Sequence, residues 1–513
     1  MIPVRGSGVS FPLAVRRIAA RFAMVGWALG MLAAPGAQAG LPNIVVIVAD
    51  DLGWNDVGYH GSEILTPHID RIAAEGIELD RFYVQPVCSP TRASLMTGKA
   101  AARLGIYRPL SKLDPGGLPL NERILPQLLR DAGYQSLMVG KWHLGHRQRV
   151  YFPQSRGFEH FYGNLTGGIG YWDHSHGGAL DWQRNGVSLR EPGYTTQLLA
   201  DEAVRLLETR DRERPTFLLA AFNAPHLPNE APAAAIGAYP DSFLPKRRIH
   251  AAMVSELDTA VGRILTALSD QGMQGSTLVW FLSDNGGLSR SAAPEGVTWL
   301  METLVDWFGE PLPLAILEFG RVNILDGASD NSPLRGGKGD IYEGGIRVPS
   351  VMAWPGRLRP GQSDAFVTAQ DVLPTLLQAA GLAEWIPKDL DGLGRWQAIQ
   401  ADEAQHVGGQ ATGVLRVEGY SSVALIRPPW KLIAHPSPWP WGETSFELYH
   451  LDRDPREEND LASVEPDRVE SLRRVLDRQP MAPHAHASLF SVALDPDAFG
   501  GGEDRPPWAE AAQ

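Results

Sequence analysis

Three unbroken apolar runs organise this chain. Residues 43–49 (Asn43-Ile44-Val45-Val46-Ile47-Val48-Ala49), 216–222 and 277–282 lack the polar alternation of a strand with one face in water. Runs of this kind predict strands buried on both faces of a parallel sheet. Each ends in polar residues: Asp50-Asp51, Asn223-Ala224-Pro225-His226 and Ser283-Asp284-Asn285-Gly286-Gly287. Between them, helical spacing of apolar positions predicts helices over 64–76, 124–133, 195–209 and 251–272. The alternation gives an α/β fold with a large, mostly parallel sheet flanked by helices. In such sheets ligands bind beyond the carboxyl ends of the strands, where these acids, amides and histidine fall.

Past about residue 360 the pattern changes. A helix over 371–381 is followed by short alternating stretches around 414–433 and 446–451, which predict a smaller C-terminal antiparallel sheet plus helix. We therefore expect a catalytic α/β domain over 40–408, a small α+β subdomain over 409–488, and an extended or disordered tail over 489–513, rich in Gly, Pro, Asp and Ala. Residues 288–330 interrupt the catalytic domain with Trp299, Trp307, Phe308 and Phe319 amid prolines. An insertion of this sort either covers a site or packs as a surface subdomain.

The first 39 residues have the layout of a cleaved signal peptide: Arg5, Arg16, Arg17 and Arg21, an apolar run over 22–34, then Ala37-Gln38-Ala39. The run is shorter than the roughly 20 residues that span a bilayer, so a membrane anchor is the weaker reading. The signal predicts export, to a periplasm or the outside, and implies the export machinery as a partner. The net charge of −13 argues against nucleic acid as a partner but not against a local basic pocket for a small anion.

The single cysteine, Cys88, cannot form an internal disulfide. In Cys88-Ser89-Pro90-Thr91-Arg92, Pro90 suits the first turn of a helix and Ala93 to Met96 are good helix formers, which sets Cys88 at a helix N-terminus. Free backbone N–H groups and the helix dipole favour anions there. Asp50, Asp51, Asp284 and Asn285 offer four hard oxygen donors at two strand ends, a set suited to Ca²⁺ or Mg²⁺ rather than zinc. Glycine-rich loops add Lys141 and His143 (Gly140-Lys141-Trp142-His143-Leu144-Gly145), and Arg335 and Lys338 (Arg335-Gly336-Gly337-Lys338-Gly339); His226 joins them. Cations and a divalent ion around a helix N-terminus make a pocket for a tetrahedral anion or its ester.

Cys88-Ser89-Pro90-Thr91-Arg92 fits the Cys-x-Pro-x-Arg signature of the sulfatases, and the chain resembles that family, within the alkaline-phosphatase-like superfamily, from Asn43 to about Ala462. Leu334 to Lys338, Tyr342-Glu343-Gly344-Gly345 and Glu447-Leu448-Tyr449 extend the resemblance. It implies that Cys88 is oxidised to formylglycine by a formylglycine-generating enzyme before folding, and that Asp50, Asp51, Asp284 and Asn285 hold one Ca²⁺ (or Mg²⁺) together with an oxygen of residue 88. The hydrated aldehyde would then attack the sulfur of a sulfate ester, and collapse of the hemiacetal would expel sulfate. By the same resemblance Arg92 and His143 position and deprotonate the diol. Lys141, His226 and Lys338 bind sulfate oxygens, and His226 or Lys338 protonates the leaving oxygen.

Residues 156–163 and 171–174 look like the arylsulfatase B branch, which acts on sulfated N-acetylgalactosamine. Trp172 and Trp182 either stack on a substrate ring or belong to the core. The acidity of the chain fits a short oligosaccharide or an aryl sulfate at least as well as a long sulfated polymer. Phosphonate or phosphate ester hydrolysis with the same modified cysteine is the alternative reading, and a non-catalytic binding protein a third.

Overall fold

The computed structural model describes residues 40–482, apart from 291–294, 311, 402–412, 438 and 440. The expected signal segment and C-terminal tail lie outside the described residues. Contacts separate Met1–Leu41 from Pro42–Gln513, and the fold is that of the second unit.

The three apolar runs are adjacent strands. Asn43–Ala49 pairs in parallel with Thr216–Ala221 on one side and Thr277–Ser283 on the other, and Gln135–Gly140 continues the parallel set beyond Thr216–Ala221. Successive side chains of the central strand enter opposite layers. Ile44, Val46 and Val48 pack with Trp280, Leu282 and the Leu373–Leu377 region, whereas Val45, Ile47 and Ala49 pack with Leu199, Leu257 and Ile264. Helices Cys88–Thr97 and Val372–Ala379 contribute to the first layer, and Thr195–Thr209 and Pro245–Asp270 to the second. Coverage of both faces is why the run carries no polar alternation.

Ten strands form the whole sheet, which is mixed towards its edges: Ser350–Ala353 runs antiparallel beside Thr277–Ser283, and Gln183–Arg184 antiparallel beside His160–Gly163. The small strands escape a periodicity reading because two or three residues hold no period. The long helix begins at Pro245, six residues before the apolar pattern suggests, because its first turn Pro245-Lys246-Arg247-Arg248 is polar.

Leu415–Glu418, Val423–Arg427, Trp430–His435 and Ser445–His450 make the expected small antiparallel sheet in sequence order. The helix at 371–381 forms as Val372–Ala379 but packs in the large core; Pro466–Leu476 covers the small sheet through Leu472 and Leu476. The other face of that sheet, with Val417, Ile426 and Ile433, packs on Tyr83, Ile341 and Ile346 of the larger body.

The insertion contains two helices, Glu295–Phe308 and Ala315–Leu325. No side chain of the first is buried, and Trp299, Trp307 and Phe308 are exposed, whereas Leu312 and Arg321 are buried. The side chain of Phe319 lies outside the described set.

A buried charge cluster locks the small sheet to the larger body. Lys431 Nζ, fully buried, lies 3.1 Å from Glu343 Oε1 and 2.7 Å from Glu457 Oε1. Tyr83 donates its hydroxyl to Glu343 Oε2 at 2.8 Å, and the Glu343 amide donates to Glu457 Oε2 at 2.7 Å. Lys431→Met removes the cation between the two acids, leaves Glu457 and Glu343 facing each other, and leaves Arg347, 4.0 Å from Glu343 Oε2, as the nearest remaining charge. It should destabilise the fold by about 3–5 kcal/mol, read as a lower urea midpoint; a midpoint within error of wild type would mean that water or another cation solvates the pair.

Candidate active site

Four neighbouring parallel strands deliver the chemistry in one row. Beyond their last residues the ladder continues for one more bond each: Asp284 N donates to Ala49 O at 3.1 Å, Asp50 N to Ala224 O at 3.1 Å, and Lys141 N to Ala221 O at 2.8 Å. These bonds fix Asp284-Asn285, Asp50-Asp51, Asn223 to His226 and Lys141 to His143 side by side. Asp51 (φ 68°) and His143 (φ 56°) both take left-handed backbone conformations, which L-residues hold only when the surroundings enforce them.

Cys88 is the first residue of helix Cys88–Thr97, with Val87 extended before it as N-cap. Ser89 Oγ donates to His143 O at 2.9 Å and accepts from Leu110 N at 3.0 Å, so the helix start is stapled to two loops. His143 Nε2 lies 2.9 Å from the carbonyl of Leu110, which only accepts; Nε2 therefore carries the proton, and Nδ1 presents its lone pair 3.2 Å from Cys88 Sγ. Burial, with Lys141 and Arg92 adding to it, holds His143 well below the usual imidazole range. The imidazole is neutral and free to accept a proton from residue 88. Burial pushes the Cys88 thiol up, so the unmodified side chain is not a ready thiolate.

The acids and bases interlock. Lys141 Nζ donates to Asp50 Oδ2 at 2.6 Å, and Lys338 Nζ to Asp51 Oδ2 at 2.8 Å. Arg92, one helical turn after Cys88, donates through Nε to Asp284 Oδ2 at 2.8 Å and through Nη1 to Lys141 O at 2.6 Å. Burial pushes Asp284 up to about 6, with Asp50 reinforcing the effect. Burial, with Lys338 reinforcing it, brings His226 down to about 3, so its 3.7 Å approach to Asp51 Oδ2 is not an ion pair at neutral pH.

Two glycine loops close over this set. A Cβ on Gly286 would lie 1.9 Å from Gly344 O, so the Asn285 loop and the Tyr342 to Gly345 turn pack backbone against backbone. That contact, with Lys338 N donating to Gly287 O at 3.0 Å, sets Lys338 beside Asp51. Arg335, expected among the basic residues, instead lies 3.7 Å over the ring of Tyr342 and bonds Tyr449 and Glu457; it holds the loop rather than facing the site.

The oxygen donors fit a hard divalent cation. Asp50 Oδ1, Asp284 Oδ1 and Asn285 Oδ1 are buried and make no hydrogen bond. The amide of Asn285 is fixed by donating to Asp51 Oδ1 at 2.7 Å, which leaves its oxygen free. Ligand atoms of Asp50, Asp51 and His226 lie within 4.8 Å of one another; Asp284 falls outside that radius, held by Arg92. Orphaned acceptors of this kind are satisfied by an ion and not by further burial.

The Sulfatase family profile matches residues 42–382, which include this whole constellation. This chain belongs to the sulfatase family. Mouse arylsulfatase J is 34% identical over 378 residues, covering 70% of this chain and 56% of its own length. Mouse N-acetylgalactosamine-6-sulfatase is 34% identical over 390 residues, covering 71% and 67%. The crystal structure of Ps i-CgsB in complex with k-i-k-neocarrahexaose superposes with a TM-score of 0.73 at 27% identity, covering 90% of this chain and 98% of that one. The sulfatase fold is thus the fold described here.

Cys88, Arg92, Lys141, His143, His226 and Lys338 each contact another of these residues or the acids at the strand ends. Sequence reasoning missed the carbonyl of Leu110, which fixes the His143 tautomer and has no side-chain signal. It also missed Tyr171, whose hydroxyl donates to His226 O at 2.9 Å. Trp182 is fully buried, while Trp172 is 50% exposed and packs on Tyr194; the two tryptophans, read together from sequence, part company.

Ca²⁺ at about 100 times its dissociation constant should raise the unfolding free energy by about 2.7 kcal/mol, read from the urea midpoint. Asn285→Ala, which deletes one orphaned oxygen and keeps every carboxylate, should shrink that gain. No gain with Ca²⁺ or Mg²⁺ would mean that the orphaned oxygens face no ion site.

Proposed function

We propose that this chain hydrolyses sulfate esters of carbohydrates or aryl alcohols to the alcohol and inorganic sulfate. One observation carries the reading: the lone pair of His143 Nδ1 faces residue 88 at a helix N-terminus, with a lysine on either side of the acids that flank it. Formylglycine at position 88, when formed and hydrated, supplies a geminal diol as the nucleophile. Asp50, Asp51, Asp284 and Asn285, with an oxygen of residue 88, would hold Ca²⁺, which when bound would supply a fixed positive charge beside the diol and the sulfate group.

The chain's own residues do the rest. His143 Nδ1 takes the proton, and Leu110 O keeps the ring in the tautomer that allows it. Arg92 orients Asp284 and the Lys141 backbone. Lys141 and Lys338 bind sulfate oxygens, where charge builds as the ester bond breaks, and His226 stands beside them. Lys338 and His226 approach the same oxygen of Asp51; Lys338 carries the proton that goes to the leaving oxygen, while His226 is neutral and spends its Nδ1 proton on Leu227 O. Nothing in the site or in its relatives favours a phosphorus ester.

Cys88 is 2% exposed, so its oxidation by a formylglycine-generating enzyme precedes folding. Residues 1–39 act as a signal that sends the chain to a periplasm or the outside. No helix among the described residues is long and apolar enough to cross a membrane. Residues 40–408 form the catalytic domain and 409–488 its companion.

Protein made with its maturation enzyme should carry an aldehyde at residue 88 by peptide mass spectrometry and should release sulfate from an aryl sulfate. Cys88→Ala should lower kcat by on the order of 10⁴-fold or more, with the thermal midpoint little changed. Near-native sulfate release by that variant would overturn the mechanism.

A further inference from the structure

The residues that bind the scissile group are nearly all closed off. Of the proposed catalytic set only His226 and Lys338 have appreciable side-chain exposure, 20% and 13%, so substrate enters between them. The rim of that entrance carries a second group of polar residues that the hydrolytic mechanism does not use.

Segment 108–112 (Arg108-Pro109-Leu110-Ser111-Lys112) is pinned to the site at its centre: Leu110 accepts from His143 and donates to Ser89. Two residues to either side of that pin stand Arg108 and Lys112, both half-buried. Neither side chain has a carboxylate or hydrogen-bond partner among the described residues, although the chain as a whole has 59 acidic side chains against 46 basic ones. Tyr420, from the turn between the first two strands of the small sheet, stands at the Lys338 side of the entrance. Its ring lies against the Lys338 loop, where a Cβ on Gly339 would be 3.3 Å from Cε2. It is 65% exposed, and the charges of Lys338 and Arg108 both reach its phenol. On the Lys112 side, His176 Nδ1 bonds Gly168 O at 2.5 Å, and a Cβ on Gly168 would touch His226 Cε1 at 3.0 Å.

We propose that Arg108 and Lys112, with the Tyr420 hydroxyl, form a second anion subsite beside the scissile-sulfate pocket, so that the preferred substrate is an oligosaccharide carrying another sulfate or a carboxylate near the sulfate to be removed. The inference rests on the sulfate ester reading of the pocket. Two partly desolvated cations without counter-ions attract such a group more strongly than solvated surface lysines, and Arg108 can receive it bidentately.

Binding separates this inference from the hydrolase reading. Calorimetric titration of the Cys88→Ala chain, which does not turn substrate over, would compare N-acetylgalactosamine 6-sulfate with a hexuronate-linked disaccharide bearing the same sulfate and with a disulfated disaccharide. The two-anion ligands should bind at least 10-fold more tightly. Arg108→Ala/Lys112→Ala should abolish that gap while changing the affinity for the monosaccharide less than about 2-fold. In the matured enzyme the same pair of substitutions should raise KM for the two-anion substrates and leave kcat and aryl sulfate turnover alone. A gap with the carboxylate ligand only, or with the disulfate only, would say which group the subsite takes. No gap in wild-type binding, or equal losses on one- and two-anion ligands, would overturn the subsite. A persisting gap in a matured chain that hydrolyses no sulfate ester would instead remove the hydrolase reading and leave the subsite standing.

Discussion

Three carboxylates and three permanent cations are held together almost out of reach of water: Asp50, Asp51 and Asp284 against Arg92, Lys141 and Lys338. Burying any one of them alone would cost several kcal/mol, so none can be placed without the others. The count is balanced, and each cation bonds one aspartate. A divalent ion added to that balanced set leaves it with two positive charges. A sulfate monoester brings one negative charge, and more gathers on its leaving oxygen as the ester bond breaks, so a net positive pocket holds the breaking bond better than the intact one.

The sheet makes this arrangement possible. Four parallel strands in the order Thr277–Ser283, Asn43–Ala49, Thr216–Ala221 and Gln135–Gly140 end at one edge, and each contributes a charged or amide residue within the next few positions. Neighbouring strands lie about 5 Å apart, so Asp50 and Asp284 end on adjacent strands, and the long Lys141 side chain reaches Asp50 from two strands away. The large cores on both faces keep the strands from sliding; a slip of one residue would turn Ile44, Val46 and Val48 into the opposite layer.

Much of this was legible in the sequence, because long elements and strand-end chemistry are local properties. The Asn43 strand ends where its apolar run ends, and the helix over 195–209 is observed over those residues. Cys88, Arg92 and the four oxygen donors could be picked out by motif and by donor chemistry. What could not be read depends on the third dimension: that Arg335 turns to Tyr342 while Lys338 turns to Asp51, that Val372–Ala379 joins the large core and Pro466–Leu476 the small sheet, and that Trp172 is exposed and Trp182 is not. In each case two residues or helices of similar composition differ in what lies across from them, and a one-dimensional pattern holds no such term.

The small sheet matters to the site through the same loop. Lys338 is carried on a turn whose neighbours are tied to that sheet three times: Arg335 to Tyr449 and Glu457, Tyr342 to Glu447, and Glu343 to Lys431. Tyr420 then reaches from the same sheet to the rim beside Gly339. One cation of the buried set is therefore placed jointly by both sheets. Net charge illustrates the same separation of scales: −13 averages over the whole chain, while the field at a narrow entrance is set by the few side chains that line it. An acidic protein can present a basic mouth, and the anions it selects are decided there.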